Sequence, residues 1–157
     1  MVEKTTIESF LAEKKLVLAG ASRTAHKFGN TVLKELTGKG YKFHLIHPEA
    51  KEIKGIPCYA SLSELSGAVG GLVNVVPPEQ TEKLVREAHS IGIKKIWMQQ
   101  GSESSAAIQF CKEHDMDVVH GECILMFAQP QGLHKFHHWL WGIFGKLPKS
   151  QAGSHLP

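Results

Sequence analysis

Short apolar segments recur along this chain at intervals of two to three dozen residues, and each is about as long as a single β-strand. They occupy residues 16–19, 41–46, 72–76, 94–98 and 117–119. Strands this apolar need cover on both faces, which an open parallel sheet with helices on each side provides. The spacing therefore predicts an α/β fold with a Rossmann-like, doubly wound parallel sheet, three α/β/α layers and strand order 3-2-1-4-5.

The connections between these strands carry helical patterns. Helices are predicted before the first strand and over residues 31–36, 80–91 and 105–114. In the clearest of them Leu84 and Ala88 share one face, Pro78 suits a first helical position and Gly92 suits the end. The connection over 52–71 is too rich in Gly, Pro and Ser for a long helix, although it has room for one or two turns.

Composition indicates one globular domain, with 42% hydrophobic and 21% charged residues in a chain of 157. No apolar run approaches the ~18 residues of a membrane span. Glu3, Lys4 and Glu8 interrupt the start of the chain, so we expect no secretory signal. The prediction is a cytoplasmic protein with a Rossmann-like domain over 1–128 and an aromatic, basic C-terminal tail over 129–157.

The excess positive charge lies in that tail. All 15 acidic residues come before Cys123, together with 15 of the 18 Lys and Arg. A neutral body argues against nucleic acid as a partner, since that would require a basic face on the domain. The apolar stripe of the tail favours packing on its own domain or on a sister subunit in a homodimer. Its Trp and Lys residues also fit docking to a membrane surface.

The sequence predicts no catalytic residue and no metal site. The cysteines are odd in number and widely spaced, which favours reduced thiols over disulfides or a zinc site; they are Cys58, Cys111 and Cys123. Cys123 follows His120 closely, but no oxyanion hole or orienting group accompanies the pair, so a structural thiol is favoured. His134 and His138 lack a nearby carboxylate or Cys as a further ligand.

The loop after the first strand is the first candidate site. Residues 20–30 read GASRTAHKFGN and lead from a strand into a helix, where backbone N–H groups and the helix dipole can receive a phosphate. Gly20 allows a tight exit, Ser22 can donate a hydrogen bond, and Arg23 and Lys27 add positive charge. Phosphate binding is therefore favoured over a simple solvated turn.

The same loop does not match the dinucleotide fingerprint, which weakens NAD as the ligand. GASRTAHKFG lacks the central Gly of GxGxxG, and the second strand ends in Ile46, His47 and Pro48, with Glu49 only beyond the proline. A phosphorylated ribose would prefer cations, which Arg23 and Lys51 could supply.

Two further strand ends are expected at the same edge of the sheet. The third strand ends in Val75, Val76, Pro77 and Pro78, and two prolines present a flat ledge without N–H donors. The fourth strand ends in a polar segment made of Met98, Gln99 and Gln100. The sequence thus predicts that three loops converge on one ligand.

Four segments together resemble the small, stand-alone coenzyme A-binding domain proteins, which are similar to the N-terminal domain of the succinyl-CoA synthetase alpha subunit. The segments are LAGASRTAHKFGNTVLKEL, IHPEAKEIKGIPCYASLSEL, VNVVPPEQTEKLVREAHSIGIKKIWMQQG and DVVHGECI. The likeness runs from about residue 15 to residue 124. It implies coenzyme A (CoA) or an acyl-CoA as the ligand, bound at the carboxyl edge of the sheet.

The resemblance also implies the site residues. They are Gly20, Ala21, Ser22, Arg23, Thr24, Ala25, Phe28, Gly29, Pro48, Lys51, Val76, Pro77, Pro78, Met98, Gln99 and Gln100. Relatives often carry Asn, Pro and Lys after the second strand, whereas here His47 replaces the Asn and the Lys is displaced. The catalytic histidine of the synthetases lies in a later domain, so a non-catalytic binding role is expected. The alternatives are an NAD(P)-binding enzyme or sensor, and an interaction module that docks through its tail.

Overall fold

A seven-stranded sheet forms the centre of the computed structural model, which describes residues 2–24, 27–65 and 67–128. In chain order its strands are β1 (Lys15–Ala19), β2 (Lys42–Ile46), β3 (Glu52–Ile53), β4 (Ile56–Tyr59), β5 (Gly71–Asn74), β6 (Lys95–Gln99) and β7 (Asp117–Glu122). Across the sheet the order is β3-β4-β2-β1-β5-β6-β7, and every described pairing except β3 with β4 is parallel.

Helices cover both faces of this sheet. They are α1 (Lys4–Leu11), α2 (Phe28–Thr37), α3 (Pro78–Ser90), α4 (Ser105–Glu113) and α5 (Ile124–Phe127), with a short 3-10 helix at Leu62–Leu65. Apolar residues of α1, α2 and α5 form one core with Leu16 and Leu18 of β1, and those of α3 and α4 form a second core with Val17 and Ala19. The predicted three-layer, Rossmann-like α/β class is confirmed.

The strand order differs from the predicted one because two strands, β3 and β4, were not predicted. The predicted third strand, now β5, lies beside β1 and not beyond β2. The position beyond β2 is taken by β4, which β3 joins through a tight turn at Lys54 and Gly55, where φ is +53° and +80°. The two strands of this hairpin are only two and four residues long, and Pro57 interrupts the second, so they lack the longer apolar run that marked the other strands.

Two further predictions concern membrane spans and the C-terminal tail. Among the described residues, no helix is long and apolar enough to cross a bilayer. The aromatic, basic tail over 129–157 lies outside the described residues, and the two-part division of the chain stays a prediction.

Two glycines allow the chain that leaves β1 to lie close to both β5 and α2. At Gly20, φ is +118°, and a Cβ would collide with the carbonyl oxygen of Val75. A Cβ at Gly29, in the first turn of α2, would collide with the carbonyl oxygen of Gly20. Both obstacles are backbone atoms that cannot rotate aside. These glycines therefore set the path of the chain out of β1 and hold the following loop beside β5.

We expect Gly29→Ala to lower the free energy of unfolding by about 1–3 kcal/mol, because the added methyl group would force β1 and α2 apart. Gly38→Ala, at the other end of α2, is the matched control. Its φ is −62° and its Cβ would make only ordinary contacts at 3.5 Å, so we expect no loss of stability there. Urea unfolding followed by circular dichroism measures both variants, and equal stabilities would contradict this account.

Candidate functional site

A cleft of about 610 Å³ opens at the carboxyl edge of the sheet, around the ends of β1, β2 and β5. The crossover after β1 runs through α2 on one face of the sheet, and the crossover after β5 runs through α3 on the other. Chains that leave neighbouring strands in opposite directions leave a crevice between them, which is where open α/β sheets bind ligands. The lining residues are Ala19, Gly20, Ala21, Ser22, Lys27, Ile46, His47, Pro48, Ala60, Val75, Val76, Pro77, Glu79, Gln80, Lys83, Leu84 and Glu87.

Asn30, a buried residue in the first turn of α2, holds the loop after β1 in place. Its Oδ1 accepts a hydrogen bond from the backbone N of Ser22 at 2.8 Å. Its Nδ2 donates to the carbonyl oxygens of Ser22 at 2.8 Å and Thr24 at 2.9 Å. These bonds lie before and after Arg23, so the backbone around that residue is fixed while its side chain remains exposed.

The hydrogen bonds within this loop refine the phosphate prediction. The N–H of Ser22 is bonded to Asn30, and the N–H of Thr24 donates to Ser22 Oγ at 3.0 Å. These two amides are therefore engaged by the protein itself. Among the described residues of this loop, the Ser22 hydroxyl, the start of α2 and the cations Arg23 and Lys27 are groups that can meet an anion.

A histidine organises the turn after β2 on the opposite side of the cleft. His47 Nδ1 accepts hydrogen bonds from the backbone N of Glu49 at 3.1 Å and of Ala50 at 2.9 Å. An Nδ1 that accepts carries no proton, so the neutral ring has its proton on Nε2. The same turn places Glu49 Oε2 3.2 Å from Arg23 Nη2. This ion pair connects the β2 turn to the loop after β1.

The end of β5 and the start of α3 form the third side of the cleft. Val75 and Val76 are half-buried, Pro77 is exposed, and α3 begins at Pro78 as predicted. Further along α3, Glu87 Oε2 accepts hydrogen bonds from Ser61 Oγ at 3.2 Å and from the backbone N of Leu62 at 3.3 Å.

These contacts tie α3 to the 3-10 helix and engage the Glu87 carboxylate. Helix α3 also contributes a lysine, Lys83, to the residues that line the cleft.

The predicted site residues fall into three groups. Six line the cleft: Gly20, Ala21, Ser22, Pro48, Val76 and Pro77. Six others flank it without lining it: Arg23, Thr24, Phe28, Gly29, Lys51 and Pro78. Ala25 lies outside the described residues.

The third group, Met98, Gln99 and Gln100, does not line this cleft. Met98 and Gln99 are buried, and Gln99 Oε1 accepts a hydrogen bond from the backbone N of Ile124 at 3.0 Å. The end of β6 therefore supports the start of α5. The turn after β2, which the resemblance already implied through Pro48, and the helix α3 line the cleft together with the loop after β1.

The sequence analysis missed Asn30, Gln80 and Lys83 as site residues. The cleft-facing residues of α3 fall at 79, 80, 83, 84 and 87, which is one face of a helix that starts at Pro78. That spacing could have identified Gln80 and Lys83. No comparable signal marks Asn30, because its role depends on the fold of the loop before it.

The described cysteines lack the properties of nucleophiles. Burial raises the pKa of Cys111 to about 11, and burial also raises the pKa of Cys123. At Cys58, burial and then the nearby Glu52 carboxylate raise the thiol pKa. All three thiols are therefore protonated near neutral pH. Within residues 2–24, 27–65 and 67–128, no group of three or more His, Cys, Asp or Glu could hold a metal ion.

Two curated proteins are similar to part of this chain. The ADP-forming acetate–CoA ligase I of Archaeoglobus fulgidus is 25% identical in an alignment 130 residues long, which covers 76% of this chain and 19% of the ligase. The ADP-forming acetate–CoA ligase of Methanocaldococcus jannaschii is 33% identical over 81 residues, which are 52% of this chain and 12% of the ligase. The chain spans less than a fifth of the length of either relative.

A solved structure and a family match each cover most of the chain. A conserved hypothetical protein from Pyrococcus furiosus is 37% identical and has a TM-score of 0.69, covering 72% of this chain and 97% of that one. The family described as CoA binding domain matches residues 14–129, a range that includes every residue lining the cleft. The chain therefore belongs to the CoA binding domain family.

Proposed function

We propose that this chain binds CoA or an acyl-CoA without catalysing a reaction, and that the ligand occupies the cleft at the carboxyl edge of the sheet. The observation that carries the proposal is the pairing of a fixed, cationic loop after β1 with an apolar proline ledge after β5, on two sides of one cleft. CoA combines anionic phosphates with an aromatic base and a long arm. The family match supports CoA as the ligand.

The phosphates of the ligand lie at the loop. Ser22 offers its hydroxyl group, and Lys27 lines the cleft close to the start of α2, where the helix dipole favours an anion. Lys83 adds a second cation from α3. The cleft volume of about 610 Å³ falls within the roughly 300–1,000 Å³ typical of ligand pockets.

The apolar parts of the ligand lie on Val76 and Pro77. Neither a proline nor a valine side chain offers a polar group there, so this surface suits the face of an adenine ring or an aliphatic segment. The end of β6, with Met98, Gln99 and Gln100, follows the same edge one strand beyond β5. A pantetheine arm that leaves the cleft past Pro77 and Pro78 would run toward that end of β6, where Gln100 is less buried than Met98 and Gln99.

The non-catalytic part of the proposal is supported by the described thiols, none of which is among the residues that line the cleft, and by the Glu87 carboxylate, which is. The described thiols are protonated near neutral pH, and Glu87 is engaged by two donors. Two relatives are named acetate–CoA ligases, but this chain matches less than a fifth of each. The proposed role is to hold the CoA moiety.

Saturating CoA should raise the melting temperature of the protein, whereas NAD, NADP and ADP should raise it less. A ligand at 100 times its dissociation constant adds about 2.7 kcal/mol of stability when it binds only the folded state. Differential scanning fluorimetry with the four ligands at equal concentration measures this. A clear shift with NAD and none with CoA would refute the proposal.

Replacing Asn30 with Ala should weaken CoA binding by about tenfold, because the loop loses the hydrogen bonds that fix it before the ligand arrives. Asn30→Asp should also weaken binding, since a carboxylate accepts from Ser22 N but cannot donate to the carbonyl oxygens of Ser22 and Thr24. Isothermal titration calorimetry at a temperature where both variants are folded measures the effect. Unchanged affinity in both would remove the loop from the site.

Lys83→Gln should weaken CoA binding about three- to fivefold at low ionic strength, because one cation of the cleft is removed from an anionic ligand. The control is Lys34→Gln, which removes the same charge from an exposed position on α2 away from the cleft. Titrations at low and high salt compare the two. Equal effects of both substitutions would show that only the overall charge matters.

A further inference from the structure

An exposed ion pair joins two sides of the cleft at its edge. Arg23 directly follows Ser22, and Glu49 directly follows Pro48; both Ser22 and Pro48 line the cleft. The Arg23 Nη2 and Glu49 Oε2 atoms are 3.2 Å apart. A ligand whose phosphate approaches this edge therefore meets a guanidinium that is already paired with a carboxylate.

The backbones of both partners are fixed by other side chains. Asn30 bonds to Ser22 and Thr24, on either side of Arg23. His47 Nδ1 accepts from the backbone N of Glu49. The two charged side chains thus extend toward each other from fixed positions, and the pairing does not depend on how a mobile loop happens to lie.

Arg23 can exchange Glu49 for another anionic partner at little cost in stability. The Arg23 and Glu49 side chains are 64% and 74% exposed, and exposed ion pairs contribute little stability. A guanidinium can form two parallel hydrogen bonds with a phosphate, whereas its recorded contact with Glu49 joins one nitrogen to one oxygen. A phosphate can therefore take Arg23 from Glu49, but the released carboxylate then stands close to the negative charge of the ligand.

The Arg23–Glu49 pair lies beside the end of β2, and this position indicates which part of an adenosine ligand it would meet. In parallel sheets of this topology, the end of the second strand meets the ribose, where a carboxylate accepts bonds from ribose hydroxyls and a cation accommodates a ribose phosphate. Here both kinds of group are present and bonded to each other. Resting on the proposed function, we infer that Glu49 determines specificity: it competes with a ribose phosphate for Arg23 and so lowers the preference for ligands that carry one.

The test compares CoA with 3′-dephospho-CoA, which lacks only the ribose phosphate. Calorimetric titrations at low ionic strength use the wild type, Glu49→Gln, Arg23→Gln and the double variant. Glu49→Gln should strengthen CoA binding about fivefold and change dephospho-CoA binding less than about twofold. In the Arg23→Gln background the same substitution should change the ratio of the two affinities much less, because the competition acts through Arg23.

Glu82→Gln is the matched control. Glu82 forms an ion pair with Arg86 at 2.7 Å on α3, outside the residues that line the cleft. Its replacement removes the same charge and should leave the ratio of the two affinities unchanged. Thermal melts check that all variants fold.

The outcomes separate this inference from the proposed function. If the wild type binds CoA but Glu49→Gln leaves the affinity ratio unchanged, or shifts both ligands equally, the inference is overturned and the proposed function stands. If the wild type binds neither ligand, the proposed function fails and the inference fails with it.

Discussion

The site depends on how closely the chain leaving β1 can pass between β5 and α2. Two backbone contacts set that distance, between Gly20 and the carbonyl of Val75 and between Gly29 and the carbonyl of Gly20. With the chain held there, Asn30 reaches back from α2 and bonds to the loop on both sides of Arg23. Asn30, at the start of α2, thus positions the loop that carries Ser22 and Arg23, the groups proposed to meet an anion. Packing in the interior of the protein and the geometry of the cleft are therefore parts of one arrangement.

The sequence was sufficient to predict the layers of the fold, because buried strands and amphipathic helices differ in the period of their apolar residues. It was also sufficient to place Gly20, Ser22, Val76 and Pro77 at one edge, since the ends of parallel strands meet there. It failed for the hairpin of β3 and β4, whose strands are two and four residues long and contain Pro57, so no extended apolar run marks them. It also failed to show that the end of β6 is buried under α5, because Gln99 resembles a site residue until its partner, the backbone N of Ile124, is known.

The charges around the cleft are more balanced than a site for an anion would suggest. Lys27 and Lys83 line it together with Glu79 and Glu87, and Arg23 is paired with Glu49 beside it. One of these carboxylates, Glu87, is held by two donors from the neighbouring segment. Acidic and basic side chains are thus mixed at this edge of the sheet, and the field of the lysines is partly offset by carboxylates on the same wall.

The hydrogen bonds from Ser61 and Leu62 to Glu87 hold the segment after β4 against α3. Ala60, on the same segment, forms part of the cleft wall, yet the segment has little regular structure and belongs to no strand of the sheet. One carboxylate on α3 fixes its distance from the rest of the wall. Insertions in this crossover would thus widen or narrow the cleft at Ala60 while every strand keeps its register.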